Sequence, residues 1–389
     1  MSFFQREIKC PKESFFLLGP RGTGKSTWLR QQFPHAKTFD LLDERLRFRL
    51  MSTPGAFAAE LEAIPSKSWV VVDEIQKMPD LLNEVHRFIE ARGLRFALCG
   101  SSARKLKQAG VNLLAGRALS RTLYPFLPDE LSAQFDLEDA LRFGTLPVAY
   151  ESEDREEKLD AYVTTYLKEE IQAEALVRNL SGFIRFIGVA ALMHGQTINV
   201  SNISRDCGVS RPTVESYLEI LEQTLLCVRL PAYEGRLRVK ERKLPKWFWI
   251  DSGLVRAARQ QLDCRLSADE RGHLFEGLVF MTLLAYRDYH RAFSDIHYWA
   301  PNSGSEIEVD FLVRKGERLV AIEVKSGKTF NESWCKGLRA FGIPEGVIRR
   351  LVVCPETPDM KLPDGIEVCS YRRFASMLHH DELFTASRR

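Results

Sequence analysis

The stretch GPRGTGKST, residues 19–27, has the spacing G-x-x-x-x-G-K-[ST] and follows the short apolar run FFLL at 15–18, which reads as a buried strand. Glycines at 19, 22 and 24 let backbone N–H groups turn inward around a β-phosphate at a helix N-terminus. Lys25 supplies a point charge to the β and γ oxygens, and Ser26 offers its hydroxyl to Mg2+. Strand, glycine loop and amphipathic helix occur in the order phosphate binding needs, so a bare glycine-rich turn is the poorer reading.

The neighbouring runs extend this. WVVV at 69–72 is a second apolar strand, ending in Asp73-Glu74. That places two carboxylates at the C-terminal edge of a parallel sheet, where Asp73 would hold Mg2+ through water and Glu74 would polarise the attacking water. A third strand, 95–100, ends in Ser101-Ser102, either of which could sense the γ-phosphate. Arg117 follows Gly116 in LLAGRALSR, where its planar, always-charged fork could reach the nucleotide of a neighbouring subunit; the alternative is a surface arginine at a helix end.

With 389 residues the chain has room for two to four domains. Lys and Arg total 55 against 52 Asp and Glu, so the net charge of +3 does not by itself announce a nucleic-acid partner, and local charge is the better guide. Eight cysteines are scattered singly at 10, 99, 207, 227, 264, 335, 354 and 369 with no CxxC pair, which argues against zinc and disulfides. Neither a signal peptide nor a long apolar segment is evident, so the expectation is a cytoplasmic protein with no membrane partner.

Two prolines, 125 and 128, close the first alternating region, and residues 129–180 read as helical, with an acidic connection at 151–157. Further on comes a short helix at 203–207, a turn at Gly208, and a second helix capped by Ser210 with Pro212 in its first turn. A β-prone run at 225–230 follows, completing the order of a winged helix-turn-helix. Ser210, Arg211, Thr213 and Glu215 lie near the leading end of the helix that would enter a major groove, yet Glu215, Glu219 and Glu222 keep that helix from being basic. Such modules also serve as plain packing elements. The better basic patch is RLRVKERKLPK, 236–246, with six Lys or Arg and a single Glu; counterion release would let it hold DNA with little sequence preference, although a solvated charge run has the same composition.

Near the end, SEIEVDFLVRKGERLVAIEVKSG, 305–327, reads as two strands joined by a turn at Lys315-Gly316-Glu317. Glu323 and Lys325 share a face by the period of two, and Asp310 can join them across the hairpin. Two carboxylates at one end of a sheet suit a hard divalent ion, and a lysine beside them can position or deprotonate a water. Glu276 is the only acid in the apolar helix LFEGLVFMTLLAY and is a candidate third carboxylate, with Glu308 as a reserve. A helical segment at 334–341 and a strand at 347–354 complete the pattern; without them, an ExK pair would be an ordinary surface hairpin.

GPRGTGKST, VVVDEIQKMPD, LCGSSARKL, LLAGRALSRTLYPF, KLPKWFWIDSGL, GHLFEGLVF and EVDFLV…AIEVKSG together resemble the prokaryotic AAA-superfamily ATPases that end in a domain of unknown function 4143. The resemblance spans nearly the full length. It implies an α/β chain: an additional-strand P-loop AAA+ core with a parallel sheet (1–128), a helical lid (129–180), a winged helix-turn-helix with a basic wing (181–250), and an α/β domain similar to PD-(D/E)xK nucleases (251–389). Carried over residue by residue, it assigns Gly19, Pro20, Arg21, Gly22, Thr23, Gly24, Lys25, Ser26 and Thr27 to ATP. Asp73 and Glu74 go to Mg2+ and water, Ser101 or Ser102 to sensing, and Arg117 to the finger. Asp310, Glu323 and Lys325 match the nuclease triad and Glu276 the helix glutamate, with Mg2+ or Mn2+ on Glu276, Asp310 and Glu323. The lid shows no sensor arginine. The expectation is an ATP-hydrolysing, hexameric machine that processes branched or structured DNA and carries a metal-dependent nuclease-like site. Alternatives are a nucleotide-gated DNA-binding switch with an inactive nuclease fold, or a protein-remodelling or toxin-controlling ATPase without DNA.

Overall fold

A computed structural model describes residues 4–102, 114, 116–166, 180–235, 243–301 and 307–385. The chain forms two compact units, one of Ile8–Tyr124 with Gln223–Leu226, the other of Met1–Glu7, Pro125–Glu222 and Cys227–Arg389. No helix among the described residues is long and apolar enough to cross a membrane.

In the first unit, strands β1 (Phe15–Leu18), β2 (Lys37–Asp40), β3 (Trp69–Asp73), β4 (Arg95–Gly100) and β5 (Leu119–Thr122) form one parallel sheet in the order β2-β3-β4-β1-β5. Helices α1 (Lys25–Gln32), α2 (Glu44–Ser52), α3 (Ala56–Glu62) and α4 (Leu81–Arg92) connect and flank the strands. Parallel strands covered on both faces read as continuous apolar runs, as β1, β3 and β4 do. Phe16, Phe39, Val70, Val72, Phe88 and Leu98 are buried together in one cluster. The order has a functional consequence. Because β4 is inserted between β1 and β3, the loop after β1, the carboxylates ending β3 and the serines ending β4 emerge side by side at one sheet edge.

The second unit opens with four short helices, α5 (Pro128–Leu131), α6 (Leu137–Phe143), α7 (Pro147–Tyr150) and α8 (Arg155–Ala161), and the longer α9 (Leu180–Leu192). Strand β6 (Gln196–Thr197), helices α10 (Val200–Cys207) and α11 (Arg211–Gln223), and strands β7 (Cys227–Leu230) and β8 (Lys246–Trp249) follow, the strands pairing antiparallel in the order β6-β8-β7. Helix α10 starts earlier than expected because Asn199 caps it, its side chain accepting from the N–H groups of Ser201 and Asn202. Ser210 takes its expected place, its hydroxyl 2.8 Å from that of Thr213 at the start of α11.

Helix α12 (Ser252–Ala258), capped by Asp251, leads to α13 (Ala268–His290), whose middle is buried on every side. Strands β9 (Asp295–Trp299), β10 (Val309–Lys315), β11 (Arg318–Val324), β12 (Val347–Cys354), β13 (Met360–Lys361) and β14 (Glu367–Ser370) form a mixed sheet in the order β13-β14-β12-β11-β10-β9. The expected hairpin of β10 and β11 turns at Gly316, whose φ of +63° suits the residue without a Cβ. Helices α14 (Lys336–Phe341) and α15 (Tyr371–His379) complete the unit. The ring of Phe280 on α13 stacks on Phe311 of β10 with centroids 5.6 Å apart.

One expectation needs correction. Lys246 does not belong to a surface stripe over 236–246: it begins β8 and is 2% exposed. Residues 236–242, with Arg236, Arg238, Lys240 and Arg242, lie outside the described residues, which leaves Lys243 as an exposed basic residue of that stretch.

Candidate nucleotide site and carboxylate–lysine cluster

The phosphate loop is shaped by its glycines. Gly24, the residue before α1, adopts φ +85°, and a Cβ on Gly19 would lie 2.5 Å from the Leu123 carbonyl oxygen, so neither position accommodates a side chain easily. Thr23 Oγ1 donates to the Pro20 carbonyl at 2.9 Å and braces the turn. Lys25 is 5% exposed, and its Nζ donates to the carbonyls of Gly19 at 2.7 Å and Pro20 at 2.9 Å. Its ammonium thus spans the loop mouth, where a phosphate oxygen would compete for it. Ser26 is half-buried beside it; Arg21 and Thr27 are exposed.

Asp73 is buried at the end of β3, and its Oδ1 accepts the N–H of Glu74 at 3.0 Å. Burial pushes the thiol pKa of Cys99 on adjacent β4 well up, and the charge of Asp73 adds to that. Glu74 sits in the left-handed region at φ 57°. Its carboxylate accepts from Gln76 Nε2, which also donates to Ser101 Oγ at 3.0 Å. Gln76 therefore joins the two groups assigned to hydrolysis and sensing, and Ser101 rather than Ser102 receives this bond. The amide packs over Gly100, where a Cβ would meet Gln76 Oε1 at 2.5 Å. The signal was present in the D-E-x-Q spacing of residues 73–76. The Nε of Arg117 pairs with Glu90 on α4 at 2.5 Å, and its side chain is 41% exposed.

Ser26 and Asp73 are hard oxygen donors beside a lysine and a phosphate-shaped loop, a set that fits Mg2+ held chiefly by nucleotide phosphates. Those two residues would hold the ion, which when bound would neutralise charge on the β and γ phosphates.

In the second unit the C-terminal candidates also converge, around an unexpected cation. Lys246 Nζ lies 2.9 Å from Glu276 Oε1, 3.1 Å from Glu308 Oε1 and 3.7 Å from Asp310 Oδ1, with the Tyr298 ring 5.5 Å away. Burial would lower the Lys246 pKa, but Glu276, Asp310 and Glu308 outweigh it and push it up. A register shift between β9 and β10, spanning Val309 to Leu312, breaks the strict alternation at Asp310. Its Oδ2 accepts the N–H of Val324 at 2.7 Å. Glu323 pairs with Lys325 at 2.6 Å, while its Oε2 has no hydrogen-bond partner among the described residues. Burial, with Asp310 nearby, pushes the Glu323 pKa well up, and burial pushes Glu276 up to about 8. Burial works against the charge on Lys325, but Asp310 and Glu323 overcome it and raise its pKa.

A divalent ion fits this second cluster poorly. Three carboxylates already point at one ammonium and the fourth holds another. No group of three or more His, Cys, Asp and Glu side chains among the described residues is arranged to hold a metal.

Comparison with known proteins agrees with the order of these parts. Residues 11–132 match the family described as an AAA domain, 134–265 a domain of unknown function 8612, and 271–374 a domain of unknown function 4143. An uncharacterized protein of Mycobacterium tuberculosis is 25% identical over 359 residues, covering 90% of this chain and 78% of its own. One of Haemophilus influenzae is 24% identical over 355 residues, covering 83% and 85%. Among solved structures, the ORC1 protein of Aeropyrum pernix in complex with DNA is 15% identical, covers 66% of this chain and 87% of its own, and has a TM-score of 0.27. A protein of Vibrio cholerae is 12% identical, covers 94% and 96%, and has a TM-score of 0.22. Likenesses this slight carry no argument. The family matches and the parallel sheet do: residues 11–132 carry an AAA domain and residues 271–374 a domain of unknown function 4143.

Proposed function

We propose that this protein hydrolyses ATP at the loop of residues 19–27 and couples that cycle to the handling of DNA. The observation that carries the ATPase part is the meeting of Lys25, Asp73, Glu74 and Ser101 at one edge of a sheet with β4 inserted between β1 and β3. In this reading Lys25 binds the β and γ phosphates, Ser26 and Asp73 hold Mg2+, Glu74 orients the attacking water, and Ser101 reports the γ-phosphate. Lys25 exchanges its two carbonyl partners for phosphate oxygens.

The DNA part is supported by the succession α10, turn, α11, β7, β8, which matches a winged helix-turn-helix, and by the exposed leading end of α11 at Ser210 and Arg211. The basic residues 236–243 lie between β7 and β8, where a wing belongs. A finger role for Arg117 requires it to leave Glu90 and reach a neighbouring subunit, in the hexamer the resemblance implies.

ATP turnover with and without duplex, forked and four-way DNA tests this reading. Wild type should hydrolyse ATP and be stimulated by DNA, and Lys25→Ala and Glu74→Gln should each lose turnover by about 100-fold or more. Turnover indifferent to every DNA form would turn the reading toward a protein-directed ATPase. Normal turnover in assembled Arg117→Ala protein would remove the finger.

A further inference from the structure

We infer that Lys246 is the resident cation of the Glu276–Glu308–Asp310 cluster, so that the C-terminal unit holds a plugged, metal-free site that does not cut DNA. The inference concerns the second unit alone and stands or falls apart from the nucleotide chemistry of the first.

Lys246 occupies the place a metal would need. Its Nζ sits between oxygens of Glu276, Glu308 and Asp310 at 2.9, 3.1 and 3.7 Å. A divalent ion drawing oxygens in to about 2.0–2.6 Å would want that same point. The two cations exclude one another, because a metal placed there would face an ammonium that is itself buried at 2% exposure.

The lysine is held there by rigid packing. Lys246 and Phe248 share one face of β8, while Glu276 and Phe280 are one turn apart on α13. A two-residue step along a strand advances about 6.8 Å and a four-residue step along a helix about 6 Å, so two rungs can form in register. Both do: Lys246 reaches Glu276, and the rings of Phe248 and Phe280 lie 4.6 Å apart. The backbone around β8 is pinned as well. Gly195 N donates to Trp247 O at 2.7 Å, Ile198 N to Pro245 O at 3.0 Å, and Tyr298 Oη to Leu244 O.

The remaining partners are committed too. Asp310 Oδ2 is taken by the Val324 N–H at 2.7 Å, and Glu323 by Lys325 at 2.6 Å. Glu323 Oε2 has no hydrogen-bond partner among the described residues, but a single oxygen is no site for a hard divalent ion, which takes six or more. Removing the lysine head changes this: three carboxylates would then surround a vacancy of about the right size. The site is therefore latent, one substitution away from a divalent metal.

The test is Mn2+ binding to nucleotide-free, full-length protein, read by electron paramagnetic resonance. Ser26→Ala and Asp73→Ala are included in the background to silence the phosphate-loop position. Chains with Lys246 should bind no Mn2+ that depends on Asp310. Lys246→Ala should bind one Mn2+ per chain, at least about 100-fold more tightly, and lose it when Asp310→Asn is added. Mn2+ should raise the melting temperature of Lys246→Ala and leave that of chains with Lys246 unchanged. Should Lys246→Ala not fold, Lys246→Ser, which keeps all three carboxylates and leaves the space of the lysine head empty, takes its place. Mn2+ bound by the Lys246 chain and lost in Asp310→Asn or Glu323→Gln would overturn the inference. So would a folded Lys246→Ala, or its substitute, that stays metal-free.

Discussion

Gln76 offers a sharp test of how the nucleotide site is organised. Its amide donates to Glu74 and, at 3.0 Å, to Ser101, and among the described residues neither of these bonds involves the phosphate loop. Gln76→Ala should therefore alter hydrolysis and spare binding. A hydrogen bond to a charged group is worth about 1.5–3 kcal/mol. If that positions Glu74 for the attacking water, its loss should cost about 10- to 100-fold in kcat. Steady-state hydrolysis at saturating ATP and Mg2+ gives kcat, and equilibrium titration with a fluorescent nucleotide gives Kd, expected to stay within about threefold. Gly100→Ala approaches the same contact from below, since its Cβ would meet Gln76 Oε1 at 2.5 Å and displace the amide. It should lower kcat in the same direction. An unchanged or raised kcat in folded Gln76→Ala, or an equal loss of affinity, would refute the positioning role.

Other perturbations probe the second unit. Asp251 is buried, accepts from the N–H groups of Thr145 at 2.8 Å and Leu254 at 3.2 Å, and is pushed by burial up to about 6. A raised carboxyl pKa means stability fully present below the unfolded value near 3.8 and lost as pH rises through about 6, by up to about 3 kcal/mol. Asp251→Asn should flatten that profile in pH-dependent denaturation while costing about 1–3 kcal/mol at neutral pH, because one of its atoms then opposes an N–H with an N–H. Arg256, fully buried, pairs with Glu270 at 3.0 Å and donates to the Cys264 carbonyl at 2.6 Å; Arg256→Met should cost about 3–5 kcal/mol in urea denaturation by leaving buried Glu270 with the longer contact to Arg259 at 3.9 Å. A Cβ on Gly337 would fall 1.8 Å from the Glu308 carbonyl oxygen, so Gly337→Ala should cost about 1–3 kcal/mol, read as a lower melting temperature.

The parts that were legible in the sequence are those whose physics is local. FFLL, WVVV and the run 95–100 are apolar because a parallel sheet buries them on both faces, and the glycines at 19 and 24 follow from close approach and left-handed backbone. The β10–β11 hairpin was legible from alternation about a glycine turn. What escaped depends on distant partners. Gln76 is one polar residue in a short 3-10 turn until Glu74 and Ser101 meet it. Lys246 looked like part of a basic surface run because charge composition says nothing of which face a strand turns inward. A hint was present in Lys-Trp-Phe-Trp: a lysine that opens an otherwise apolar strand shares its face with Phe248, and that face is buried.

The charges of the C-terminal cluster explain why one residue decides its chemistry. Glu276, Glu308, Asp310 and Glu323 face Lys246 and Lys325, four carboxylates against two ammoniums, a deficit of two. A divalent ion or two protons would close it. Asp310 is stabilised by the Val324 N–H, and Glu308 keeps a third of its side chain in solvent. Glu276 and Glu323 have neither advantage, and they are the two whose pKa values burial raises. Protons on those two balance the cluster with Lys246 in place, whereas a metal requires Lys246 to leave. Since a raised carboxyl pKa stabilises below its unfolded value, near 4.5, and is lost as pH rises through about 8, the wild-type unit should weaken on that alkaline limb. Glu276→Gln should remove the share of that loss that Glu276 carries and leave the share of Glu323, in urea titrations between pH 6 and about 9. A limb unaffected by Glu276→Gln would mean that Glu276 stays ionised and that the deficit is closed by something other than protons.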